Sequence, residues 1–127
     1  ARGPDATFAG LYAVLQAAHA DATAAVRPGG AAAASDAAGR DPHTPAGYGP
    51  AFIHRTGHGI GLEGHEDPYL VAGNREPVQA GHAFSIEPGI YLEGRYGARI
   101  EDIVICGAGG ADVLDTNPRD LFVVSGR

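Results

Sequence analysis

Four of the six histidines in this chain fall between His54 and His82, and two glutamates, Glu87 and Glu101, lie on the segments just beyond. Imidazole together with hard carboxylate oxygens suits Mn²⁺, Co²⁺, Fe²⁺ or Zn²⁺ better than it suits a thiolate metal. Two such ions bridged by carboxylates would bind and ionise a water and clamp the tetrahedral transition state of amide hydrolysis. His54 and His58 have the spacing of two ligands on one helical face, but Gly57, Gly59 and Gly61 argue against a helix there. An extended loop that carries imidazoles and backbone close to a bound group fits better, with His65 as a third member. Alternation along Arg99–Ile105 places Arg99, Glu101, Ile103 and Ile105 on one face. Glu101 would then sit mid-strand beside two isoleucines, where an unpaired carboxylate costs several kcal/mol. It needs Arg99, a metal, or both; a plain Arg99–Glu101 ion pair on an exposed sheet face is the bland alternative.

One pattern misleads. Gly59-Ile60-Gly61-Leu62-Glu63-Gly64 matches the dinucleotide-binding glycine motif, which needs a strand before it and a helix opening at its end. His65-Glu66-Asp67-Pro68 follows instead, with Pro68 badly placed for that helix, so the dinucleotide reading is rejected. Cys106 reads as a small strand residue without catalytic company. His19, His43 and His82 read as surface residues.

The elements that must position these side chains come in two blocks. From Thr7 to Val26 the residues Phe8, Leu11, Tyr12, Leu15, Ala18, Ala22 and Val26 recur three or four apart, one face of an amphipathic helix. Asp5 or Thr7 would cap its start, and Arg27-Pro28-Gly29-Gly30 would end it. Residues 31–50 offer a short helix with almost nothing large to bury, then an irregular link broken by Pro42, Pro45 and Pro50. An extended segment starts at Phe52-Ile53. Strand-length runs follow at Ala83–Glu87, Ile90–Leu92, Arg99–Ile105, Val113-Leu114 and Leu121–Val124. Within Ala83–Glu87, Phe84 and Ile86 share one face and Ser85 and Glu87 the other. Helix first and strands after predicts an α+β fold, helices packed on one face of a mainly antiparallel sheet.

The 127 residues fit one domain. Nine arginines and no lysine stand against fifteen acids, a formal charge of −6, which argues against nucleic acid or an anionic membrane as partner. No apolar run is long enough to span a bilayer. With one cysteine and no signal-like start, a cytoplasmic location is expected.

Four motifs in order then become recognisable: His54-Arg55-Thr56-Gly57-His58-Gly59-Ile60-Gly61, Glu63-Gly64-His65-Glu66-Asp67-Pro68, Ser85-Ile86-Glu87-Pro88-Gly89-Ile90-Tyr91 and Arg99-Ile100-Glu101-Asp102. Together they closely resemble the pita-bread metallopeptidases, nearest to the Xaa-Pro dipeptidases (prolidases) and Xaa-Pro aminopeptidases. The resemblance covers about residues 5–125 and is most specific from 52 to 106. It implies a dinuclear site with ligands in the order Asp, Asp, His, Glu, Glu, filled by Mn²⁺ or Co²⁺, with Zn²⁺ or Fe²⁺ also compatible. By motif, His58 resembles the His ligand, Glu87 the terminal Glu that also manages the proton of the attacking water, and Glu101 the bridging Glu. His65 resembles the His that contacts the scissile carbonyl. His54 resembles the one lining the leaving-group side of the substrate pocket. Arg99 resembles the Arg that braces the metal carboxylates or meets a substrate carboxylate. The short link from Tyr91 to Arg99 is similar to that of the dipeptidase-like bacterial members.

The two Asp ligands of the family lie upstream of the opening helix, and Asp5, Asp21 and Asp41 do not sit in the expected motif. Residues 1–127 are therefore expected to be the carboxyl-terminal portion of one catalytic domain, supplying the His/Glu/Glu half of the site. The expected function is metal-dependent hydrolysis of Xaa-Pro bonds in proline-containing peptides by a metal-bridged hydroxide, in a homodimer. The alternative is a non-catalytic peptide- or protein-binding module of the same fold, or an inactive fragment.

Overall fold

The computed structural model describes residues 5–124. Asp5 caps the first helix, α1 (Ala6–Ala24), its carboxylate accepting from the Phe8 amide at 2.7 Å. At the other end Arg27 folds back and donates to the carbonyls of Ala24 and Val26, groups that the helix itself leaves unpaired. The expected apolar stripe is the buried one: Leu11, Leu15, Ala18 and Ala22 are fully enclosed and Val26 nearly so.

α2 (Ala32–Arg40) buries no large side chain; its buried residues are Ala32, Ser35, Asp36 and Gly39. Small size is what it contributes. A methyl group at Gly39 would press on the Ala18 carbonyl and the Ala22 side chain, so α1 and α2 pack almost backbone to backbone. The link that follows winds into two short 3₁₀ turns, Asp41–Ala46 and Gly49–Ala51, instead of running irregularly.

Among the described residues seven strands follow: β1 (Gly57–Gly59), β2 (Glu66–Leu70), β3 (Ala83–Ile86), β4 (Gly89–Leu92), β5 (Tyr96–Arg99), β6 (Asp102–Gly107) and β7 (Gly110–Val113). Five form an antiparallel sheet in the order β2-β1-β3-β6-β7, while β4 and β5 make a separate hairpin. Pro68, which ruled out a helix after the glycine run, lies in β2 at the sheet edge, where a missing N–H removes no inner ladder bond. Phe84, Ile86, Val104 and Cys106 face α1 with Leu70, Val78, Ala22 and Val26. A second cluster joins Leu11, Leu15 and Ala18 to Phe52, Ile90 and Ile100 across the hairpin. The α+β expectation therefore stands, with helices on one side of an antiparallel sheet.

Three local expectations need correction. Arg99–Ile105 is not one strand: the ladder stops at Arg99 and resumes at Asp102. Leu121–Val124 forms no strand; it lies beyond the point where Arg119 is tied down, without a ladder partner, and Phe122 and Val124 are exposed. His19 is buried, not superficial, its Nε2 lying 3.1 Å from Asp102 Oδ2 but off-line for a hydrogen bond. That imidazole faces inward because α1 turns the residue between Leu15 and Ala22 onto β3 and β6. Burial pushes its pKa down; Asp102 opposes this, while Arg119 reinforces it. No helix among the described residues is long and apolar enough to cross a membrane.

Candidate metal and substrate site

The sheet and the hairpin are two continuous ribbons that break at one level. β3 passes into β4 through Glu87-Pro88, and β5 passes into β6 through Ile100-Glu101. The register is the same on both sides of the break, Ile86 opposite Asp102 and Gly89 opposite Arg99, so Glu87 falls opposite Glu101. Proline at 88 supplies no N–H, so at that pair the ladder keeps only the bond from the Ile100 amide to the Pro88 carbonyl, at 3.4 Å. Two carboxylates facing each other across a strand pair repel. Arg99 lies between them, with Nη1 3.5 Å from Glu87 Oε2 and Nε 3.7 Å from Glu101 Oε2. Glu101 is thus not buried mid-strand; it is exposed in the gap, and the cation it needs is at least in part Arg99.

Glu87 is buried and held from both sides. Ser85 Oγ donates to Glu87 Oε1 at 3.0 Å, and His58 Nε2 lies 3.1 Å from the same oxygen. The Ser85 hydroxyl also accepts from the His58 amide at 3.1 Å, fastening β1 to β3 beneath the two side chains. That contact depends on Gly57: a Cβ there would overlap the Ser85 carbonyl. His58 Nδ1 is 3.0 Å from the Gly59 carbonyl oxygen. With Nδ1 donating there, the remaining nitrogen directs its lone pair at a carboxylate, an arrangement that calls for a proton or a cation between the two. The His65 ring stands edge-on to His58, centroids 4.2 Å apart.

α2 positions His54 from behind. Asp36, 1% exposed, accepts from Arg40 Nε and Nη2 at 3.1 and 2.9 Å and from Thr56 Oγ1 at 2.7 Å. The same guanidinium donates to the carbonyls of Phe52 and His54 at 2.7 and 2.9 Å. The Asp36 hydrogen bond raises the Arg40 pKa further, so the clamp is always charged. His54 then bridges Nδ1 to the Arg55 carbonyl at 2.7 Å and Nε2 to the Tyr91 hydroxyl at 3.1 Å.

An open pocket of about 690 Å³ results, lined by His54, Arg55, His65, Tyr69, Val71, Glu87 and Arg99. All six residues singled out by type and spacing meet here: His54, His65, Glu87 and Arg99 in its wall, His58 against Glu87, and Glu101 against Arg99. The donors fit a hard divalent ion in kind. In number they do not enclose one, since no group of three or more His, Cys, Asp or Glu side chains converges among the described residues. Sequence reasoning missed Asp36, Arg55, Tyr69 and Tyr91. The Asp36–Arg40 spacing of four on a helix with nothing large to bury was the available signal for the first.

Residues 2–108 match the model of metallopeptidase family M24. The chain belongs to that family. It is 54% identical over 121 residues to the probable dipeptidase PepE of Mycobacterium tuberculosis (strain ATCC 25618 / H37Rv), covering 95% of this chain and 32% of that protein. The Xaa-Pro dipeptidase of Lactobacillus delbrueckii subsp. lactis is 48% identical over 114 residues, covering 90% and 31%. The crystal structure of dipeptidase PepE from Mycobacterium ulcerans superposes with a TM-score of 0.93 at 55% identity, covering 96% of this chain and 33% of that one. The M24 chain thus spans about a third of the length of the relatives it matches, and its α+β architecture is that of one half of a pita-bread fold. Membership of a metallopeptidase family implies divalent metal.

Proposed function

We propose that residues 1–127 form the carboxyl-terminal portion of an M24 catalytic domain that hydrolyses the peptide bond before proline. The observation that carries this reading is the alignment of His58, Glu87 and Glu101 around the strand break: an imidazole and two opposed carboxylates with too few cations among them. His58, Glu87 and Glu101 would hold their share of a two-metal centre, with Mn²⁺ or Co²⁺ as the ions and two further carboxylates supplied from elsewhere in the domain. When bound, the metals would acidify a water and polarise the scissile carbonyl.

The rest falls to the side chains. Glu87, fixed by Ser85, accepts the proton of the attacking water and passes it to the leaving amine. His65 donates to the carbonyl oxygen as it gains charge. His54, pinned by Arg40 and Tyr91, lines the side on which the proline ring departs. Arg99 offsets the repulsion between Glu87 and Glu101 when the metals are out and steadies their outer oxygens when the metals are in. Proline-containing peptides are the substrate class, a homodimer the assembly, and the cytoplasm, with Cys106 buried and reduced, the compartment.

The test is metal stoichiometry and turnover on the complete protein after loading with Mn²⁺ or Co²⁺ and desalting. Two ions per chain, release of proline from an Xaa-Pro dipeptide, and loss of both in Glu101→Ala support the reading. No retained metal and no hydrolysis would leave the fold as a binding module.

A further inference from the structure

Directly behind the strand break lies a cluster of charged groups that the proposed reaction does not use. Glu101 and Asp102 are neighbours, and in extended chain their side chains leave on opposite sides. Glu101 is exposed in the gap, whereas Asp102 is 4% exposed and shares the buried face of β6 with Val104 and Cys106. Arg119 Nε donates to Asp102 Oδ2, and His19 Nε2 lies 3.1 Å from the same oxygen. The Ile86 carbonyl faces that imidazole too. His19 thus stands between the residue before Glu87 and the residue after Glu101. Arg119 is in turn fastened to α1: its carbonyl accepts from the Tyr12 hydroxyl at 3.0 Å and from Gln16 Nε2 at 2.9 Å. Its Nη2 donates to the Asp115 carbonyl at 3.0 Å, and the Asp115 carboxylate accepts from the Ile103 amide at 2.7 Å.

An apolar residue would fill position 102 at less cost, as Val104 and Cys106 do on the same face, because a buried carboxylate has to be desolvated. What the acid adds is direction. A guanidinium on one side and an imidazole on the other locate the group, where apolar packing would let it slide. We infer that Asp102 is a positioning residue for the metal site: gripped by Arg119 and faced by His19, it sets the backbone at Glu101 and so holds that carboxylate opposite Glu87. The inference rests on the peptidase reading above and adds to it a layer of residues outside the pocket wall. The reach is short. Adjacent Cα atoms are about 3.8 Å apart across a rigid peptide plane, so a shift of Asp102 passes directly to Glu101.

The experiment uses the complete protein as wild type, Arg119→Met, Asp102→Ala and Asp102→Asn. Calorimetric titration with Co²⁺ reads affinity, and kinetics on an Xaa-Pro dipeptide read KM and kcat. Hydrogen exchange of the metal-free protein compares the amides of residues 100–103 with those of 104–106. Arg119→Met and Asp102→Ala should bind Co²⁺ about tenfold to hundredfold more weakly, keep KM, and regain kcat as Co²⁺ is raised. Asp102→Asn still accepts from Arg119 and offers an N–H to the lone pair of a neutral His19, so it should stay near wild type. Exchange in Arg119→Met should quicken at 100–103 and not at 104–106. Unchanged Co²⁺ affinity in that variant, or exchange that quickens evenly along β6, would overturn the assignment and leave the cluster a prop of the fold. Should Asp102→Ala not fold, Arg119→Met decides, since it keeps the carboxylate and removes a side chain that is 34% exposed. If the wild type neither binds Co²⁺ nor cleaves the dipeptide, the peptidase reading has failed by itself. Exchange in Arg119→Met then decides about Asp102: quickening confined to 100–103 sustains its role, and any other pattern refutes it.

Discussion

Replacing Asp36 by alanine should cost more stability than any substitution in the pocket itself. Its carboxylate, 1% exposed, accepts from the buried Thr56 hydroxyl, with no other acceptor for it among the described residues, and is the counter-charge of Arg40. Stranding a buried hydroxyl costs about 1–3 kcal/mol. Breaking a buried ion pair costs about 3–5 kcal/mol, but the Arg40 side chain is 24% exposed, so water recovers part of that. The two losses share one carboxylate and are not additive. We expect about 3 kcal/mol for Asp36→Ala and about half of it for Asp36→Asn, whose amide oxygen still accepts from Thr56. Asp41→Ala, one turn on and exposed, is the control and should stay within about 0.5 kcal/mol of wild type. Urea unfolding followed by circular dichroism, with slopes checked for equality, reads the differences. If Asp36→Ala matches Asp41→Ala, the clamp between α2 and the His54 loop does not hold the fold, and the account of how His54 is positioned is wrong.

Three further outcomes follow from named contacts. His19 is depressed from its usual 6.5 by burial, so the unfolded chain binds more protons than the folded one below that value. Its contribution to stability should be fully present above pH 6.5 and decline as the pH falls through the folded-state value; urea midpoints between pH 8 and 5 should show the decline, and His19→Gln should remove it. Gly57→Ala should cost about 3 kcal/mol by forcing β1 away from the Ser85 carbonyl, whereas Gly64→Ala, with open space around it, should change the melting temperature little. The Cys106 thiol is enclosed and its pKa is raised by burial and by Asp112, so a disulfide reagent should label it only as fast as the protein opens; rapid labelling of the native protein would contradict its place in the core.

The sequence was legible where one period dominated. The 3.6-residue stripe of α1 and the Phe84/Ile86 face of β3 both lie in the apolar core, because nothing competes with burial at those positions. It was illegible where polar contacts do the positioning. Asp36 and Arg40 look like a solvated pair on a weak helix, and their inward direction depends on Thr56, Phe52 and His54, which only the folded chain brings near. His19 was misjudged for a related reason: a histidine on an apolar stripe is buried when the sheet beneath has an acid to face it, and Asp102 lies 83 positions away (102 − 19). Alternation puts Glu101 in a strand interior on one face with Ile103 and Ile105, yet the ladder is interrupted there by Pro88 on the partner ribbon.

That break ties the fold to the chemistry. Glu87 and Glu101 stand opposite each other in register, and like charges so placed repel. Between the Ile86–Asp102 and Gly89–Arg99 pairs the regular pairing lapses, with the Ile100 amide still donating to the Pro88 carbonyl, and this gap in the ladder falls at the level where like charges meet. One guanidinium from the hairpin enters that gap, and the imidazole of His58 reaches it from β1. Among the described residues, Arg99 and His58 still leave acceptor oxygens on both glutamates without a close donor, since the Arg99 contacts are 3.5 and 3.7 Å, longer than a charge-assisted hydrogen bond. The residual demand for positive charge is local and oxygen-rich, and it adjoins the pocket that holds His65 and Arg55.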